Sequence, residues 1–75
     1  MSRLPTVKPR RVVRALRRAG FEEHHQRGSH LYLRHPESRR MTSVPMHPGD
    51  LPKGTLRAIL RQVEITVEEF VELLL

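Results

Sequence analysis

Residues 27–35 read Arg27-Gly28-Ser29-His30-Leu31-Tyr32-Leu33-Arg34-His35, and this stretch decides the fold. Arg27-Gly28-Ser29 is a hairpin turn signal, because glycine reaches the backbone angles that a tight reversal needs. From Ser29 to His35 polar and apolar residues then alternate with the period of two of a half-buried strand. Leu31 and Leu33 point one way; His30, Tyr32 and Arg34 point the other. Such a strand lays one face on a core and leaves the other in water, as antiparallel sheets do.

Working outward, Glu22 to Gln26 reads as a weaker, polar strand leading into the turn. Pro36-Glu37-Ser38 is a second turn. Arg39 to Val44 is a third strand, with Val44 and Thr42 facing inward and Pro45 ending it. The three strands form an antiparallel meander. Upstream, a helix is expected from Lys8 to Ala19, with Pro9 in its first turn and Gly20 as its C-terminal cap. At 100° per residue, Arg10, Arg11, Arg14, Arg17 and Arg18 fall within about 120° of arc, and Val12, Val13, Ala15, Leu16 and Ala19 take the remaining face. Met1 to Val7 reads as a short lead-in. Downstream, Met46 to Leu51 is a loop, and a second helix begins between Leu51 and Lys53, with Asp50 as the expected N-cap and Pro52 in the opening turn. Leu56, Ile59, Leu60 and Val63 supply its core stripe at i, i+3, i+4 and i+7. Thr66-Val67-Glu68-Glu69 matches a capping box and opens a short last helix, whose apolar face is Val67, Phe70, Val71 and Leu74. Leu73 and Leu75 lie off that face.

The order defines an α+β class, with a three-stranded antiparallel sheet, two helices on one face and a short C-terminal helix. Leu16, Leu31, Leu33, Val44, Leu56, Ile59 and Leu60 form the expected core. The 75 residues suit one domain, 1–75. Nothing approaches the ~18 consecutive apolar residues of a membrane span, and Met1 to Leu16 lacks the apolar block of a signal peptide. Cysteine is absent, which excludes disulfide scaffolds, Cys-ligated zinc, iron–sulfur clusters and thiol catalysis. The expected compartment is the cytoplasm.

Charge is unevenly placed. Residues 1–49 hold eleven Lys/Arg against three Glu; residues 50–75 hold three against five acids. A chain with net charge +6 and a pI near 11.3 carries the electrostatic footprint of a nucleic-acid binder. The excess is nearly all arginine, with Lys only at Lys8 and Lys53. Solubility needs no such preference, whereas phosphate recognition uses the planar guanidinium fork.

The five histidines, His24, His25, His30, His35 and His47, match no metal-ligand spacing. His24 and His25 are expected on opposite faces of a strand. The few acids outside the C-terminal stretch are scattered, unlike the clustered carboxylates of two-metal nucleases. Ser29 beside His30 is no nucleophile elbow. His30 is the imidazole with chemistry in reach, since Arg27, Arg34, Arg39 and Arg40 lie near it in sequence. Positive surroundings favour a neutral base, which could take the proton of a ribose 2′-OH. Arginine or lysine would then stabilise charge on the attacked phosphorus. The plain alternative is an exposed polar residue on a sheet. His47 is a candidate general acid, or a loop hydrogen-bonder. Lys53-Gly54-Thr55, at a helix start, could surround a phosphate; otherwise Lys53 reaches into solvent. Arg57 and Arg61 continue the Lys53 stripe.

Several pieces, in order and spacing, resemble the HicA family of type II toxin–antitoxin systems. They are Leu16-Arg17-Arg18-Ala19-Gly20-Phe21, Gly28-Ser29-His30, His35-Pro36, Val44-Pro45-Met46-His47 and Gly54-Thr55-Leu56-Arg57-Ala58-Ile59-Leu60. The resemblance implies a dsRBD-like (double-stranded-RNA-binding-domain-like) α-β-β-β-α fold. It also implies an mRNA interferase whose key histidine lies in the Gly-Ser-His segment, here His30. A HicB-type antitoxin partner is implied as well. Glu23-His24-His25 departs from the more apolar or Arg-rich character of relatives. The resulting expectation is a metal-independent endoribonuclease acting on mRNA, with no cofactor. His30 would be catalytic, supported by Gly28 and Ser29, and phosphate contacts would come from Arg27, Arg34, Arg39, Arg40, Lys53 and Arg57. The alternatives are a non-catalytic RNA-binding module of the same fold and a structural subunit that uses the Leu-rich end.

Overall fold

The computed structural model describes residues 3–75. Helix α1 spans Pro9–Arg18, strands β1, β2 and β3 span Glu22–Arg27, His30–Arg34 and Met41–Pro45, and helices α2 and α3 span Lys53–Val63 and Val67–Leu74. The three strands form one antiparallel meander in the order β1-β2-β3. This is the α-β-β-β-α order of a dsRBD-like fold, followed by α3.

Helix α1 ends as its glycine demands. The Phe21 N–H bonds back to the Leu16 carbonyl at 3.0 Å and the Gly20 N–H to that of Arg17 at 3.0 Å. This paired closure needs a left-handed residue, and Gly20 supplies it with φ of 101°. Helix α2 closes in the same way through Glu64, at φ 57°, a position that a non-glycine residue holds at a cost of about 1 kcal/mol. The Glu64 carboxylate meets Arg40 at 2.9 Å, tying that end of α2 to the start of β3.

The core matches the expected list and extends beyond it. Leu16, Leu33, Val44 and Leu56 are essentially without exposed surface, and Leu31, Ile59 and Leu60 are buried with them. Thr42 is buried too, and its hydroxyl donates to Gln62 Oε1 at 2.6 Å, so that hydroxyl is not stranded. Two features correct the sequence reading. The lead-in is part of the core: Leu4 and Val7 are buried, and the Val7 carbonyl accepts from the Leu51 N–H at 2.9 Å. Leu51 is buried there, α2 is capped at Pro52, and Asp50 is exposed rather than serving as the N-cap. Strand β1 buries none of its side chains, and the sheet's contribution to the core comes from β2 and β3.

Helix α3 packs against α1 by burying Phe70 completely, with Val67, Leu73 and Leu74 partly covered. Leu73 therefore lies on the packed side, contrary to the periodicity reading, while Leu75 stays exposed. Arg18 donates to the Leu73 carbonyl at 2.9 Å and Arg11 to that of Leu74 at 3.4 Å. Two arginines of α1 thus satisfy the carbonyls that a helix end leaves open. The capping box is complete: the Thr66 N–H donates to Glu69 Oε1, and the Glu69 N–H to the Thr66 hydroxyl. The hydrogen bond from the Thr66 backbone, and second to it one with the Thr66 side chain, hold the Glu69 carboxyl below its ordinary value.

Phe70→Ala should cost about 3–5 kcal/mol in urea unfolding, a large share of the stability of so small a fold; a loss under about 1 kcal/mol would show α3 to be dispensable. A carboxyl lowered by folding stabilises above its unfolded value and loses that contribution as pH falls through the folded one. Helicity of α3 should accordingly decline at acid pH, below the usual carboxylate range, and Glu69→Gln should flatten that part of the circular-dichroism profile.

Candidate catalytic and nucleic-acid site

The alternation along β2 sends Leu31 and Leu33 to the helices and His30, Tyr32 and Arg34 to the open face. Antiparallel register then fixes their neighbours. His30 pairs with Arg27 on one side and Pro45 on the other. Tyr32 pairs with His25 and Ser43, and Arg34 with Glu22 and Met41. The open face is thus three cross-strand rows, with His30 in the row nearest the β1–β2 turn. Gly28, at φ 59°, closes that turn, and the Ser29 carbonyl accepts from the Met46 N–H at 2.6 Å, tying the turn to the end of β3.

A bulge corrects the expected placement of two histidines. Pairing shifts between Glu23 and His25, leaving His24 as the extra residue. Regular alternation would set His24 opposite the buried Leu33; the bulge sets Glu23 there, where it pairs with Arg17 at 3.5 Å. His24 and His25 therefore do not diverge: their ring centroids lie 5.2 Å apart, edge to face. His25 also stacks on Tyr32, centroids 4.5 Å apart and planes 11° from parallel. Among the described residues no three His, Asp or Glu side chains converge as a metal-holding group.

The expected arginine cluster divides. Arg27 faces His30 directly across the pair. Arg34 is four residues further along β2, about 13 Å away. Arg39, at φ 66°, lies in the turn beyond it, and Arg40 is engaged with Glu64. These three stand at the opposite end of the sheet from His30. The chain brings other groups to the His30 end. The Arg40–Glu64 and Thr42–Gln62 contacts together set α2 antiparallel to β3, so its N-terminus, with exposed Lys53 and half-buried Thr55, lies toward Pro45. Exposed Arg57 sits one turn along. The start of α1 lies beside that of α2, since the Val7 carbonyl, two residues before Pro9, accepts from the Leu51 N–H. Neither helix has an acid in its first turn, so both dipoles add positive potential at this end.

His47 follows Pro45 by two residues, which keeps its Cα within about 12 Å of that of His30. Its Nδ1 lies 3.0 Å from the Pro48 carbonyl, which can only accept, so Nδ1 is the donor of that bond. His35 has a different role. Its Nδ1 accepts from the N–H groups of Glu37 and Ser38, and its ring meets the edge of Phe21 at 5.1 Å. A Cβ on Gly20 would lie 2.8 Å from His35 Nε2, so glycine there serves both the helix end and this ring.

Sequence reasoning overlooked the His25–Tyr32 pair, although the signal was present. Counting back from a two-residue turn at Gly28-Ser29 already places residue 25 opposite residue 32.

The structure is thus a cationic α+β domain with an accessible imidazole at one end of an open sheet face. The sequence profile described as HicA toxin of bacterial toxin–antitoxin matches residues 9–65, most of the chain, and the chain belongs to the HicA toxin family. No curated protein matches it. Leu4, Val7 and α3 lie outside the matched span, so the core of this chain is completed by segments flanking the family region.

Gly20→Ala should destabilise more than Gly28→Ala. Both impose left-handed strain of about 1–2 kcal/mol on a Cβ-bearing residue, but only the first also meets a ring already fixed by two hydrogen bonds. Equal melting temperatures for the two variants would contradict the packing described.

Proposed function

We propose that the protein is a toxin endoribonuclease that cleaves mRNA without a metal ion, the chain 1–75 acting as one HicA-like domain in the cytoplasm. The observation that carries the reading is His30: an exposed imidazole directly opposite Arg27, at the basic end of the sheet, in a member of this toxin family. No helix among the described residues is long and apolar enough to cross a membrane.

In the proposed reaction, His30 accepts the proton of a ribose 2′-OH. The 2′ oxygen attacks the adjacent phosphorus, the bond to the 5′ oxygen breaks, and that oxygen leaves with a proton from an acid. His47 is the candidate, because its Nδ1 contact leaves Nε2 for proton transfer. The products are a 2′,3′-cyclic phosphate and a 5′-hydroxyl. Arg27 and the positive end of α2 with Lys53 offset charge developing on the phosphoryl oxygens, while Arg57 extends the phosphate-binding surface. Gly28 and Ser29 act by holding the turn. Arg34, Arg39 and Arg40 lie too far along the sheet to serve the same phosphate; in this reading they meet the RNA strand further on. A HicB-type antitoxin is the proposed protein partner, in keeping with the family's toxin–antitoxin description.

His30→Ala should reduce cleavage of RNA in EDTA at least about 100-fold, the usual scale of a lost general base, with the fold and RNA binding retained. Undiminished cleavage by that variant would reject the assignment. Products ending in 3′-hydroxyls, or cutting of RNA methylated at its 2′ oxygens, would reject the 2′-OH route. Binding without cleavage by the unaltered protein would favour the non-catalytic module.

A further inference from the structure

The middle row of the open sheet face has no part in the reaction proposed above, yet it carries the protein's one parallel aromatic stack among the described residues, His25 on Tyr32. A cleft of about 450 Å3 opens beside Tyr32, bounded by Met41 and Ser43 and reaching Gln62. Met41 is an apolar side chain left 41% exposed, and Tyr32 is half-buried. Nothing in the core requires either arrangement, because both residues point away from it.

We infer that Tyr32, backed by His25, is a stacking platform that seats one unpaired RNA base in the cleft toward Met41. The inference rests on the proposed ribonuclease reading and names the form of its substrate. Three observations carry it. A planar ring already stacked on one side presents a preorganised surface for a further ring. Met41 also lines the cleft, and its flexible thioether adapts to a flat apolar surface. The Ser43 hydroxyl and the Gln62 amide supply polar groups where the edge of a base would lie, and Gln62 is already oriented by its bond from Thr42. Tyr32 is two residues from His30 on the same face, about 7 Å, the scale of one nucleotide. A base in a duplex is covered on both sides and cannot enter, so the substrate is single-stranded at this position. Tyr32 is thus a positioning residue that sets which phosphate reaches His30.

The test uses the full chain and a single-stranded RNA fully methylated at its 2′ oxygens, which binds without being cut, together with its abasic versions and its duplex. Tyr32→Leu should weaken binding of the single strand about tenfold, and Tyr32→Phe should restore it. Met41→Asp, at an exposed position with little bearing on folding, should weaken binding as well. One abasic position should lose about as much as Tyr32→Leu does, with no further loss when the two are combined. With cleavable RNA, Tyr32→Leu should raise KM more than it lowers kcat. Unchanged single-strand affinity in both Tyr32→Leu and Met41→Asp would overturn the platform, as would equal affinity for the duplex. Loss of antitoxin binding alone, with RNA binding intact, would overturn it in favour of a protein-binding face. Tyr32-dependent binding without cleavage by the unaltered protein would leave the platform standing and remove the catalytic reading. Cleavage that depends on His30 but ignores Tyr32 would do the reverse.

Discussion

Leu33 lies at the centre of the middle strand with no exposed surface, and its burial fixes the parity of the whole sheet. Side chains on a strand alternate strictly, so a residue committed to the core commits its neighbours to the opposite side. Leu31 reinforces the choice on β2, and Thr42 and Val44 make the same choice on β3. His30 and Tyr32 have no other place to go than the open face. The proposed chemistry thus follows from where hydrophobic contact is made, and no interaction of His30 itself is needed to hold it in position.

Electrostatics then distinguishes the two ends of that face. At the end bearing His30 stand Arg27 and the first turns of two helices that contain no acid. At the other end stand Arg34, Arg39 and Arg40, with Glu22 paired across from Arg34 and Glu64 bound to Arg40. The arginines of α1 divide likewise: Arg11 and Arg18 reach the end of α3, Arg17 pairs with Glu23, and Arg10 and Arg14 join Arg17 and Arg18 around the groove above Leu31. One sequence feature, an arginine-rich helix face, does structural work at one edge and contributes surface potential at the other.

Most of the architecture was legible because its signals are local. The alternation of residues 29–35, the stripe Leu56-Ile59-Leu60-Val63, Gly20 after α1 and the box at Thr66 each specify an element by short-range physics. The features that escaped depend on distant partners. Val7 becomes core beside its bond to Leu51, and Pro52 takes the cap that Asp50 was expected to make. His24 is displaced by a bulge that suits the pairing of Glu23 with Arg17. His30 was legible as accessible, from the pattern of its strand. The company it keeps was not, because closeness in sequence counts for little along an extended strand, where four residues span about 13 Å.

Strand β1 has a consequence of another kind. None of its six side chains is buried, so backbone pairing with β2 and the turn at Gly28 are nearly all that hold it in place. Segments with so little buried apolar surface open at a free energy well below that of global unfolding. Arg27 and His25 ride on this strand, whereas His30 and Tyr32 belong to the rigid centre. One half of the proposed site is therefore anchored and the other half can detach without melting the protein, and the amides that join β1 to β2 would exchange with solvent long before those that join β2 to β3.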